Sequence, residues 1–173
     1  MKRTSLMALM ILAGCGGNAA NPAADAMLDA AAPDFATCTG ACMTTAVMVN
    51  ISAQRMLDVA YYGVNQSGTL HVEVYANAAA GCPTMSSPTP DYALILGSVP
   101  VPTDTSSSTS SANLLDYKGD LLGGPLGKAA TTVALVPTSF AVATHLALDL
   151  DLGFSPGTAM GHVFAIHCTS LDN

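Results

Sequence analysis

Tryptophan is missing from this chain, aromatic residues make up only 5% of it, and charged residues only 10%. Lysine and arginine together number five against 12 acidic residues, a formal charge of −7. Nucleic-acid binding replaces phosphate counterions with a cationic footprint, and no such footprint exists here. Carbohydrate-binding sandwiches generally stack exposed rings on sugar faces, and without tryptophan the adjacent pair Tyr61-Tyr62 is the main candidate. Tyr61 falls in an apolar row and is expected in the core, which leaves Tyr62 as the possible ligand contact. No stretch is apolar for the ~18 residues or more that a spanning helix needs. No repeat of 20–50 residues is found, which argues against solenoids and propellers.

What is present begins with order at the N-terminus. Met1-Lys2-Arg3 is a short basic start, Leu6 to Leu12 an apolar run, and Leu12-Ala13-Gly14-Cys15 a small-residue cleavage site. Basic region, short apolar region and small-residue site in that order are the marks of a secretory signal. The last four of these residues resemble the lipobox of bacterial lipoproteins. The resemblance implies that Cys15 takes a diacylglyceryl thioether, carrying acyl chains such as palmitate, and that signal peptidase II cuts between Gly14 and Cys15. It further implies a signal peptide over 1–14. Gly16 stands where enterobacterial lipoproteins carry Asp for inner-membrane retention, so the resemblance implies the outer membrane of a bacterial cell envelope.

Cleavage would remove Lys2 and Arg3, leaving Arg55, Lys118 and Lys128 against 12 acidic residues, a formal −9. An anionic bilayer surface repels such a chain, so its hold on the membrane is expected to rest on lipid. Each buried acyl methylene contributes about 0.8 kcal/mol, and more than one chain is needed for a stable anchor. Residues 15–37 are mostly Gly, Ala, Asn, Pro and Asp, with Pro22 and Pro33 interrupting any helix. They read as a flexible tether, and 38–173 as one domain. With Cys15 committed to lipid, Cys38, Cys42, Cys82 and Cys168 form an even set, which in an oxidising compartment reads as two disulfides. Of the three possible pairings we favour Cys82 with Cys168, and Cys38 with Cys42 across a turn that Gly40 permits.

From Cys38 onward the apolar period is two. Met43, Thr45, Val47, Val49 and Ile51 alternate, then Leu57, Val59 and Tyr61, then Leu70, Val72 and Val74 against His71, Glu73 and Tyr75. Tyr92, Leu94 and Leu96 follow, with shorter rows at Leu114 to Leu122 and at Val133 and Leu135. The longest row runs from Val142 to Phe154, and Phe164, Ile166 and Cys168 close the domain. About eight strands at turn-like intervals predict an all-β fold, an antiparallel β-sandwich stapled by disulfides. Two loops interrupt it: the proline-rich segment from Asn77 to Asp91, and the Ser/Thr run between Val101 and Ser111.

Linear motifs for chemistry are weak. Gly123-Gly124-Pro125-Leu126-Gly127-Lys128-Ala129 lacks the glycine that a phosphate-binding loop needs at position 122 and the hydroxyl it needs at 129, so it reads as a turn. There is no G-x-S-x-G elbow. His162 and His167 are five apart and face opposite sides of a strand, so they cannot share an ion; His145 and Asp149, and Asp149 and Asp151, share the polar face of the long strand from Val142 to Phe154. A calcium ion there would need loop ligands such as Asp91, Asp116 or Asp120, and no EF-hand series is present. Asn50-Ile51-Ser52 and Asn65-Gln66-Ser67 fit the glycosylation pattern, a chance match in a bacterial protein.

The expectation is therefore a membrane-anchored lipoprotein presenting a small non-enzymatic β-sandwich for binding or structural interaction at the cell envelope. It would have no cofactor, metal or catalytic residues and an unidentified protein or glycan partner. In architecture and composition it resembles uncharacterised lipoproteins of Gram-negative soil bacteria. The alternatives are an envelope hydrolase with a loop-assembled Ser, His and Asp site, and a carbohydrate-binding module.

Overall fold

The computed structural model describes residues 38–124 and 126–173. The proposed signal peptide, tether and lipid site at Cys15 lie outside the described residues. Ten strands follow a short 3₁₀ turn at Gly40–Met43: β1 Ala46–Asn50, β2 Gln54–Leu57, β3 Val59–Val64, β4 Leu70–Ala76, β5 Tyr92–Val99, β6 Ser111–Asp116, β7 Gly127–Ala129, β8 Thr132–Ala141, β9 His145–Gly153 and β10 Thr158–His167. A second 3₁₀ turn, Thr169–Leu171, ends the chain.

The all-β expectation holds, but the sheet is one curled, mixed sheet and not purely antiparallel. Its path runs β2-β1-β10-β3-β4-β5-β6-β7, while β9 pairs with β10 on its other side and β8 pairs with β9. The parallel contact is between β10 and β3, at Ile166 with Tyr61 and His167 with Tyr62. The β9–β10 hairpin fixes the direction of β10. Its first half pairs antiparallel with β1. Its last residues then continue past β1 onto β3, which runs the same way. The sheet curls far enough that Ser108, ahead of β6, exchanges two backbone hydrogen bonds with Leu135 of β8, at 2.8 and 3.0 Å.

Alternation decides the core. Val47, Val49, Leu70, Val72, Val74, Leu94 and Leu96 are fully buried, and so are Leu146, Leu148 and Leu152. Each set lies at every second position, as half-buried strands require. Two rows depart from their expected phase. A break at Asp58 separates β2 from β3 and resets the parity, so that Leu57 and Tyr62 face the main core while Val59 and Tyr61 face away. In β10 it is Val163 and Ala165 that point inward; Ile166 is 51% exposed. The long row also starts later than expected. Val142 to Thr144 form the turn joining β8 and β9, with Ala143 at φ 55.

Two glycines are needed for close approach. A Cβ on Gly63 would sit 2.4 Å from the Leu171 backbone, where the C-terminal turn crosses β3. A Cβ on Gly161 would meet the Ala46 carbonyl at 2.1 Å, where β10 presses on β1. Cys38 lies bonded to Cys42, and Cys82 to Cys168, with S–S distances of 2.07 and 2.05 Å.

Candidate functional site

The outer face of β3 to β6 is itself apolar, which is unusual for a sheet whose other face already carries the core. Register places Tyr61 beside Glu73 and Glu73 beside Ile95, and in the next row Val59, Tyr75, Ala93 and Leu115 side by side. Such a face needs a cover. The loop between β4 and β5, residues 77–91, supplies it, folding back over the sheet. Pro83, Pro88 and Pro90 flank a turn at Thr84–Ser87 and keep that loop out of strand pairing. Cys82 ties it to the buried Cys168 at the end of β10. At its far end the Asp91 carbonyl accepts from the Tyr117 and Lys118 amides at 3.1 and 3.2 Å.

Between roof and sheet lies a half-open pocket of about 390 Å³. Tyr61, Tyr75 and Tyr117 line it with Glu73, Ile95 and the loop prolines. The Tyr61 and Tyr75 rings meet at 6.3 Å and 53°, forming a corner. The Tyr75 hydroxyl donates to Glu73, and the His71 ring nitrogen lies 2.8 Å from the other Glu73 oxygen, so the carboxylate is held in one orientation. Of the five tyrosines, Tyr62, Tyr75 and Tyr92 direct their hydroxyls at protein partners. Those of Tyr61 and Tyr117 find none among the described residues. Among the described residues no Lys, Arg or His lines the pocket. It thus offers ring faces, two available hydroxyls and a fixed carboxylate to a neutral or cationic ligand, and disfavours an anionic one. Its size falls at the low end of the ~300–1,000 Å³ of small-molecule sites.

Tyr62 is not a surface contact. It is fully buried, its ring 6.2 Å from that of Phe140 and 5.1 Å from that of His167. Burial pushes its hydroxyl up to a pKa of about 12. The parity break at Asp58 is the cause, and it hands the pocket to Tyr61 instead.

A serine and a histidine do meet, at the β8–β9 limb, where His145 shares a row with Ile166 and, beyond it, Tyr61. Ser139 Oγ lies 2.9 Å from His145 Nε2. Ser139 is only 1% exposed, His145 stacks on Phe164 at 5.4 Å, and no carboxylate bonds His145 among the described residues. With Ser139 buried and no carboxylate among the described residues to orient the half-buried imidazole, the pair lacks the access and the third group an activated serine needs.

The candidate calcium residues are scattered, and all but the exposed Asp151 are engaged. Asp149 accepts from His162 at 2.7 Å, Asp91 pairs with Lys118 at 3.4 Å, and Asp120 with Arg55 at 3.0 Å. Asp116 accepts the amides of Gly119, Leu121 and Leu122, each at 2.7 Å, and so holds the loop after β6. Among the described residues no three of His, Cys, Asp and Glu converge as metal ligands. Gly123 and Gly124 lie in that same loop, which leads into β7 as a plain turn. His167, which the spacing from His162 excludes as a shared metal ligand, bonds Asp172 at 3.1 Å.

The sequence held a signal for the pocket that the motif search passed over. Tyr75 occupies a position that alternation would leave polar or solvated, and a proline-rich loop carries a cysteine that must reach back to the domain. A two-faced apolar sheet beneath a tethered loop is what those features describe. Comparison of the chain with protein-family models, with curated proteins and with solved structures finds no match.

Proposed function

We propose that this is an exported lipoprotein, anchored through Cys15 to the outer membrane, whose β domain binds part of a glycan in the tyrosine pocket. The observation that carries the reading is the roofed pocket itself, with two tyrosine hydroxyls that have no partner among the described residues and a carboxylate fixed by His71 and Tyr75. Sugars present apolar ring faces and neutral hydroxyl rims. Tyrosine rings suit the first, and carboxylate and phenol oxygens the second. The absence of cationic lining argues against phosphorylated or acidic glycans. Support for the anchor remains the agreement of basic start, apolar run and lipobox. Support for sandwich-like packing is that one core takes Leu146, Leu148 and Val163 from one limb of the curled sheet and Val72, Leu94 and Leu114 from the other.

The test is a calorimetric titration of the full chain with defined neutral and amino-sugar oligosaccharides of envelope type, repeated with Tyr117→Ala and Tyr61→Phe. Binding of at least one oligosaccharide, weakened by both variants and without release of smaller sugars, is the expected result. No binding across the panel, or binding indifferent to both substitutions, would overturn it. Sugar release on incubation would replace it with the hydrolase.

A further inference from the structure

Methionine normally fills irregular gaps in a core. Here three methionines stand on the outer face of adjacent strands in one straight row. Met48 in β1 pairs directly with Met56 of β2 on one side and with Met160 of β10 on the other. Met48, Met56 and Met160 are 36%, 45% and 49% exposed, while their neighbours Val47, Val49 and Leu57 turn into the core. The row continues to Asp151 of β9, which pairs with Met160 and is exposed.

From this register we propose that Met48, Met56 and Met160 form a binding site for a soft monovalent cation, Cu(I) being the biological one. Neighbouring strands lie about 4.7–4.9 Å apart, and side chains at paired positions project from the same face. Three flexible thioethers with such spacing can turn toward one ion above Met48. Thioether sulfur selects Cu(I) over harder divalent ions. Asp151 places a carboxylate at the end of the row and favours a cation without offering a competing hard cluster. Among the described residues thioethers are also the soft ligands left available, since Cys38, Cys42, Cys82 and Cys168 are all paired in disulfides. Being neutral and non-titrating, they hold the ion without the proton release that thiolate or imidazole ligands require. The site is separate from the tyrosine pocket and stands or falls without it.

Ag(I) is the suitable probe, because it shares the soft d¹⁰ chemistry and needs no reductant that would open the disulfides. The full chain carrying Cys15→Ser, which removes a competing thiol, is titrated with silver nitrate in chloride-free buffer while the methionine methyl resonances are followed. The expected result is that the methyl signals of Met48, Met56 and Met160 shift together and saturate at one ion per chain, while those of Met43 and Met85 do not. Met48→Leu keeps the shape and apolarity of the face and should weaken binding by about tenfold or more. Joint replacement of the three by Leu should abolish it. Shifts absent from these three methyls, or a triple-Leu variant that binds like the parent, would overturn the site.

Discussion

Tyr61 and Tyr62 are adjacent in sequence and sit in different apolar clusters on opposite faces of β3. Tyr62 belongs to the main core with Val72 and Leu94, and Tyr61 to the outer cluster with Tyr75, Ala93 and Cys168. Everything built over the outer face, including the proline-rich roof and its disulfide, depends on that division.

The two residues should therefore respond to substitution in opposite ways. Tyr62→Ala empties a fully buried site and is expected to cost about 3–5 kcal/mol, as large aromatic truncations do. Tyr61→Phe removes a hydroxyl with no partner among the described residues and should cost less than about 1 kcal/mol. Urea midpoints of both variants check this. A Tyr61→Phe loss as large as that of Tyr62→Ala would mean that the outer cluster is ordinary core.

Leu148 and Asp149, neighbours in β9, test the alternation of the longest strand. Leu148 is fully buried against the opposite limb of the sheet. Leu148→Asp places an unpaired carboxylate there, at a cost comparable to the whole stability of a small domain, about 5–15 kcal/mol. Asp149 is largely exposed and loses only its contact with His162. Asp149→Leu should cost no more than about 1 kcal/mol, the upper range for an exposed ion pair. Equal shifts in the urea midpoint would contradict a one-sided strand.

Much of this was legible from the residues. The rows in β4, β5 and the latter part of β9 keep strict period two, because strand residues alternate faces and one face meets a core. The phase was lost where the chain breaks without an apolar signal. Asp58 separates two strands that read as one, and the Val142 to Thr144 turn contains a valine that prolongs the row by appearance only. The parallel join of β10 to β3 was also invisible, since Ile166 and Tyr61 are far apart in sequence and each looks like an ordinary strand residue. Tyr75 and Glu73 were correctly placed opposite the core row; what could not be read was that a loop covers them.

Asp116 gives the domain an acid-sensitive point. Burial opposes its ionisation, but the amides of Leu122, Leu121 and Gly119 outweigh burial and hold its carboxyl below the usual range. A carboxyl with a depressed folded pKa adds stability above its unfolded value, about 3.9. That stability is lost as pH falls through the folded value. Asp116→Asn should lower the urea midpoint at neutral pH by the equivalent of about 1.5–3 kcal/mol, the worth of a hydrogen bond to a charged group. Below about pH 4 the wild type should lose stability more steeply than the variant, so that the two converge. Parallel pH profiles would show that the Asp116 charge does not hold the loop.

The most direct test of an anchored, exported binding protein is the intact mass of the chain recovered from the membranes of a Gram-negative host, beside Cys15→Ser. The account predicts a wild-type chain that begins at Cys15 and carries a diacylglyceryl group with its acyl chains, and a Cys15→Ser chain that keeps residues 1–14 and no lipid. A wild-type chain without acyl mass, or a Cys15→Ser chain that carries it, would contradict the account.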